Sequence, residues 1–295
     1  MLTILQVASV ISVVMVIAAT IWRKSKSKSE TRFLLADPPK DTVVLHQYGA
    51  APTVPSISPY VMKLETYLRA AKIPFVNKFS RTPGPKGKLP WIQYNQTVVC
   101  DSQFCIEFLN VEKKVNLNNK LTPQDMAIGH MLRRTVEESL YWIMLQFRLV
   151  FEKSGTIYRR LGLNSATIWV MKSASKGRLV SQGIGRHSEQ EVTKLMDDDL
   201  MAVSTILGNK KFLFGNDVED VTEFDCAVFG QLCQMVWQMP GCHTEERIAE
   251  KFPNLVNYCE SMKAAFWPDW NERLLGQKSQ MTTTASPKEE ETPLQ

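Results

Sequence analysis

The sequence predicts a two-lobed body, an α/β lobe followed by an all-helical lobe, preceded by one transmembrane helix. Three observations carry this. Thr3 to Trp22 is a run of 20 residues without a charge. Between Val43 and Leu109, short β-branched runs alternate with one-sided helical periodicity. From Thr122 onward the pattern is helical, and Ser188 and Thr222 each stand three residues before an acid, as N-caps do.

At a rise of about 1.5 Å per residue, Thr3–Trp22 spans roughly 30 Å, the thickness of a bilayer core. Trp22 falls at interface depth, and Arg23, Lys24, Lys26 and Lys28 follow at once. No Lys or Arg precedes the run, so the positive-inside rule predicts the folded body in the cytosol. A cleaved signal peptide would carry a basic start and an apolar stretch of only about 7–15 residues. A short anchor with basic flanks also fits an outer mitochondrial membrane signal-anchor. The basic cluster 23–28 suits anionic lipid headgroups. The expected organisation is an anchor over 1–22, a basic and polar linker over 23–41, an α/β domain over 42–111, a helical domain over 120–272 and a disordered tail over 273–295.

In the α/β lobe, Val43-Val44-Leu45 reads as a strand running into His46-Gln47-Tyr48. A Pro-rich loop follows. Ser58-Pro59 then opens a helix, because Ser is a good N-cap and Pro is tolerated in the first turn. Val61, Leu64, Leu68 and Ala71 give that helix one buried face, and Pro74 ends it. Phe75–Phe79 is a strand, and Gly87–Pro90 a turn. Trp91–Tyr94 and Thr97–Cys100 form a hairpin across Asn95-Gln96, and Asp101-Ser102 caps a further helix. In the helical lobe, Thr122 starts a helix reaching to about Phe151. Capping boxes at Ser188 and Thr222 open two more, the second with Val221 and Cys226 as a candidate hydrophobic staple. Residues 251–266 carry the last helix.

Composition narrows the class. Hydrophobic residues at 44% and charged residues at 22% describe a folded body, not a disordered chain. The net charge is +5, but the tract at 23–28 supplies four of those charges, leaving about +1 elsewhere. A nucleic-acid surface is therefore not expected. The six cysteines include no CxxC pair and sit in apolar stretches, so free buried thiols in a reducing compartment are expected. His46, His130, His187 and His243 are scattered, and no metal site is expected. Gly183-Ile184-Gly185-Arg186 follows no strand, so it predicts a tight turn rather than a phosphate loop.

The βαβ–ββα order followed by helices resembles glutathione transferases, whose N-terminal domain is thioredoxin-like. Thr222-x-x-Asp225 resembles that family's capping box, and Phe252-Pro253-Asn254-Leu255 its terminal-helix motif. Four stretches resemble the failed axon connections family, membrane-associated relatives of glutathione transferases and metaxins. They are Ala51–Pro59 (APTVPSISP), Lys88–Ile92 (KLPWI), Gly183–Arg186 before Ser188-Glu189, and Phe266-Trp267-Pro268.

The resemblance implies a set of site residues. Ser58 matches the reactive Cys or Ser position, where a hydroxyl could donate to the glutathione sulfur; its bland alternative is helix capping, and Ser56 and Tyr48 are weaker candidates for the same donor. A Cys there would support thiol transfer, and this chain has none. Pro90 matches the cis-proline, and Leu89 before it would present backbone groups to glutathione. Asp101 and Ser102 match the pair that holds the γ-glutamyl carboxylate, with N-capping as the alternative. Glutathione is the possible cofactor, and a homodimer through the lobe junction the possible assembly. The Pro-rich loop before Ser58 is longer than catalytic transferases carry. The sequence therefore favours a non-enzymatic interaction or scaffold protein, which the resemblance links to axonal development, over a membrane-tethered glutathione transferase or peroxidase. A metaxin-like outer mitochondrial membrane component is a third reading.

Overall fold

The structure is a computed structural model, and it describes residues 33–276 apart from 36, 80 and 81. The expected anchor Thr3–Trp22, the tract 23–28 and most of the expected tail lie outside the described residues. Among the described residues, no helix is long and apolar enough to cross a membrane.

A four-stranded sheet forms the first lobe: β1 (Val43–Gln47), β2 (Phe75–Phe79), β3 (Trp91–Tyr94) and β4 (Thr97–Cys100), in the order β2-β1-β3-β4. β1 pairs with β2 in parallel and with β3 antiparallel, which is why all five of its residues are buried. The β1–β2 crossover contains α1 (Pro59–Ala70), and α2 (Ser102–Lys113) follows β4. Val43, Leu45 and Ile92 meet Leu64, Tyr67, Leu68, Ile106 and Leu109 in one core beneath these helices. Alternation along β1 turns Val44 and His46 to the opposite face.

That opposite face meets the last residues of the expected linker. Phe33 packs edge-on against Trp91, with ring centroids 5.9 Å apart. The Leu35 N–H donates to the fully buried Gln93 side chain at 2.8 Å, and Lys113 donates to the Asp41 carbonyl. The chain is thus built into the lobe from Phe33, because the sheet's second face carries apolar residues that need a cover.

The second lobe contains α3 (Pro123–Arg134), α4 (Tyr141–Gln146), α5 (Thr156–Arg160), α6 (Ser165–Gln182), α7 (Glu189–Leu207), α8 (Glu223–Trp237), α9 (Thr244–Lys251) and α10 (Pro253–Phe266). The helix expected from Thr122 to Phe151 does run that far, but as α3 and α4 interrupted by π turns at Thr135–Leu140 and Phe147–Phe151. The first π turn leaves the Glu137 carbonyl to accept from the Tyr60 hydroxyl at 3.0 Å. Both expected boxes close, at Ser188/Glu191 and Thr222/Asp225, and Thr122/Asp125 at the expected helix start forms one as well. The staple does not form: Val221 joins the helical core, whereas Cys226 turns into the sheet core. Gly183 (φ +119°) and a 3₁₀ turn at Ile184–Arg186 make the expected turn before Ser188. Cys105, Cys226, Cys233, Cys242 and Cys259 are buried free thiols, and Cys100 is half-buried.

α8 is the central helix and packs its length against α1. A glycine lets them touch: a Cβ on Gly230 would lie 2.6 Å from the Pro59 carbonyl oxygen and 2.8 Å from the Lys63 nitrogen. Around α1 the lobes are bolted by charge. Glu65, 1% exposed, accepts from Arg69, from Arg273 at 2.7 and 3.2 Å, and from Gln47 at 2.8 Å. Arg69 also bonds Asp269 at 2.6 and 2.8 Å and lies over the Trp267 ring, whose indole N–H donates to Thr66. Arg273 thus takes part in the lobe junction, and the Leu275 N–H donates to the Ala51 carbonyl.

Candidate functional site

Strand register gathers the expected site residues at one edge of the sheet. His46 faces Trp91 across β1–β3, and Trp91 faces Cys100 across β3–β4. The loop leaving β1 toward Ser58, the Leu89-Pro90 entry to β3 and the Asp101-Ser102 exit from β4 therefore share that edge. The Leu89–Pro90 peptide is cis, and both residues are buried.

Ser58 is the N-cap of α1. Its hydroxyl accepts from the Val61 N–H at 3.4 Å, and the residue is 8% exposed. Ser56 is buried, and its hydroxyl accepts from the Ser58 N–H at 3.4 Å. Tyr48 lies exposed beyond the end of β1. The Pro-rich loop between them is pinned to the helical lobe. Thr53 donates to the Gln238 side chain and the Trp237 carbonyl, and Gln234 donates to the Ser56 carbonyl at 2.8 Å. Ala51 and Val54 are fully buried in the helical core.

Asp101 caps α2, accepting from the Gln103 N–H at 2.9 Å and the Phe104 N–H at 3.3 Å. Its backbone sits at φ +86°, ψ 130°, close to a region populated almost only by glycine, at a cost of about 1–3 kcal/mol. Ser102 beside it is buried. An exposed carboxylate held in a strained turn at a helix start, with a buried hydroxyl next to it, suits a polar ligand more than a plain cap, which needs no strain.

Sequence reasoning missed the groups that link α1, α2 and α3 beside this edge. Lys63, 2% exposed, donates to Gln103 at 2.7 Å and to Glu137 at 2.6 Å, and Glu137 also takes Arg133 at 3.1 Å. Burial pulls the Lys63 ammonium below its usual range, while Glu137 opposes that shift. The available signal was a Lys and a Glu inside the otherwise apolar stretch of α1, since such charges are buried only when paired. A cavity of about 250 Å³ between Leu121, Asp125, Phe214 and Asp220 is lined by none of the expected site residues. Among the described residues no three His, Cys, Asp or Glu side chains converge as metal ligands.

His46 is the unusual titratable group behind the edge. It stacks on Trp91 at 3.5 Å between centroids, is 3% exposed, and its Nε2 has no hydrogen-bond partner. Burial, aided by Lys78, lowers its pKa to about 4. An unfolded chain binds the proton near pH 6.5 and the folded one only near 4, so stability falls as pH drops through that window. The loss should reach about 3 kcal/mol at the lower end. Denaturation midpoints of the parent and His46→Leu followed across the window should diverge accordingly; parallel curves would show that His46 does not drive the dependence.

Against known proteins, residues 59–154 match the family model described as glutathione S-transferase N-terminal domain, and residues 196–262 match glutathione S-transferase, C-terminal domain. The chain is 30% identical over 236 residues to isoprene-epoxide–glutathione S-transferase of Rhodococcus sp. (strain AD45), covering 74% of this chain and 98% of that protein. The chain belongs to the glutathione S-transferase family. It is also similar to Failed axon connections of Drosophila melanogaster, at 28% identity over 278 residues and 87% of this chain. It spans only 66% of that relative's length. Similarity to the mitochondrial outer membrane import complex protein METAXIN of Arabidopsis thaliana is weaker, 23% over 72% of this chain and 69% of that protein. The solved glutathione transferase GSTFuA2 from Phanerochaete chrysosporium shares the fold, with TM-score 0.54 at 15% identity over 76% of this chain and 98% of that one. This chain thus has the two-lobed fold of the glutathione S-transferases, and it holds the Ser58 loop against its helical lobe.

Proposed function

We propose that this chain is a membrane-tethered glutathione-transferase-like body that works as a non-catalytic interaction protein, with a role in axonal development. The observation that carries the reading is the pinned Ser58 loop: Gln234, Gln238 and Leu275 hold it, and the Ser58 hydroxyl is engaged in capping α1. A sulfur-activating hydroxyl needs a free approach for the thiolate, and behind this loop Ser58 is only 8% exposed. Similarity to Failed axon connections supports the axonal role, and Thr3–Trp22 with its basic flank supports a single-pass anchor with the body cytosolic. Dimerisation through the lobe junction is a further expectation for this fold. The metaxin similarity makes the outer mitochondrial membrane the alternative location, and microscopy of the full chain beside a variant lacking residues 1–28 decides it.

One observation favours a second reading, glutathione binding: the strained Asp101 turn beside buried Ser102, at the edge shared with Leu89. Backbone N–H groups at the start of α2 suit a carboxylate ligand. Titrating glutathione into the full-length chain in detergent decides between the readings. Under the first, no saturable heat appears, and Ser58→Ala leaves partner capture from neuronal membranes intact. Saturable binding lost in Asp101→Ala, together with conjugation activity lost in Ser58→Ala, would replace it with a membrane-tethered transferase or peroxidase.

A further inference from the structure

The outward face of α6 has the chemistry of a membrane-interface helix. Ile168, Ser175 and Leu179 point into the body. At 100° per residue, the exposed arc then runs Lys176, Trp169, Val180, Ser173, Ala166, Gly177, Val170, Ser181, Ala174, Thr167 and Arg178. Its middle holds no charge, and both rims are basic. A solvent-facing helix surface normally shows the reverse pattern. Trp169 is 70% exposed, Val170 58% and Val180 38%, and nothing lies within 4 Å of a Cβ built on Gly177.

The stretch of chain that contains α6 carries charge of one sign. Lys153 to Ser188 contains seven Lys and Arg and not one Asp or Glu. Lys172 is taken by Glu152, while Lys153, Arg159, Arg160, Lys176, Arg178 and Arg186 are exposed. α5, the π turn Phe147–Phe151 and the 3₁₀ turn Ile184–Arg186 pack against α6; Glu152, directly after the π turn, also meets it but is buried and paired with Lys172. An uncharged stripe bearing a Trp, rimmed by Lys and Arg, matches an anionic lipid surface.

We infer that the Trp169–Val170–Val180 face of α6 docks on the anionic leaflet of the membrane that anchors the chain. The inference rests on the anchor reading for proximity. Ten residues separate Trp22 from Phe33, eleven Cα–Cα steps with a reach of at most about 40 Å, so the body cannot leave the neighbourhood of the bilayer. Docked this way, the body has one orientation at the surface.

The test reconstitutes the full-length chain into vesicles of phosphatidylcholine with brominated acyl chains, with and without about 30% phosphatidylserine. Bromine quenches tryptophans that enter the bilayer, and Trp22 contributes in both lipids. Extra quenching is expected with phosphatidylserine, lost in Trp169→Phe and in the pair K176E/R178E, with circular dichroism unchanged. Quenching that is independent of phosphatidylserine or survives Trp169→Phe overturns the inference. So does Trp169-dependent self-association in phosphatidylcholine alone, which would assign the face to a second copy. Alkaline carbonate extraction separates the two readings. A chain that resists carbonate without Trp169-dependent quenching keeps the anchor and loses the docking. A chain released by carbonate that still shows Trp169 quenching on added anionic vesicles keeps the docking and loses the anchor.

Discussion

Asp225→Ala is expected to destabilise the body by about 3–5 kcal/mol, more than any other single cap. The carboxylate is fully buried and accepts from the Thr222 N–H at 2.9 Å, the Thr222 hydroxyl at 2.7 Å and the Leu213 N–H at 2.8 Å. Burial pushes this carboxyl up, and the bonds from Leu213 and Thr222 pull it back. Its removal strands three donors where water does not reach, each costing about 1–3 kcal/mol. The location amplifies the loss. α8 is the helix on which α1, α3, α9 and α10 all pack, so a frayed first turn loosens both lobes. By contrast, the box at Thr122/Asp125 is exposed, and Asp125→Ala should cost only about 1 kcal/mol. Denaturant unfolding of the two variants followed by tryptophan fluorescence measures the contrast. Equal losses would mean that burial of Asp225 does not matter.

Glu65→Ala should cost a comparable amount, about 3–5 kcal/mol, by a different route. Here the loss is an uncompensated charge: Arg273 and Arg69 stay at the lobe junction, each 15% exposed, with only Asp269 between them. Burial alone would raise the Glu65 carboxyl, but Arg273 and then Arg69 hold it below the ordinary carboxylate range. Its stabilisation is therefore complete above the unfolded value of about 4.3 and is lost as pH falls below it toward the depressed folded value. The pair E65A/R273A should recover part of the loss, because it removes the stranded guanidinium. Strict additivity in that double-mutant cycle would show that the two residues do not act together.

Local order in this chain was legible because local chemistry decides it. Ser58-Pro59, Thr122, Ser188 and Thr222 satisfy helix donors from within three residues, and all cap where their spacing says. The strands were legible from β-branched and aromatic runs between turns, and the site positions from motifs that resemble the family's. The π turns were not: nothing in TVEESL or FRLVF breaks helical periodicity, and the Tyr60 hydroxyl that meets the Glu137 carbonyl in the first of them is 77 residues away. The role of Gly230 was equally hidden, since a helical glycine acquires meaning only when another backbone arrives against it.

By itself, then, the sequence determined the apolar run at Thr3–Trp22, the order of strands and helices, the caps that start them, and the family. Tertiary structure alone decided that Phe33 covers the sheet, that Gln234 and Gln238 pin the Ser58 loop, and that Glu65, Arg69, Asp269 and Arg273 lock the lobes. It also decided that Trp169 faces outward rather than into a core. Caps and periodicity act over three or four residues and are written in the chain. These other contacts join residues up to 208 apart, and side chains so distant have no relation until the fold brings them together.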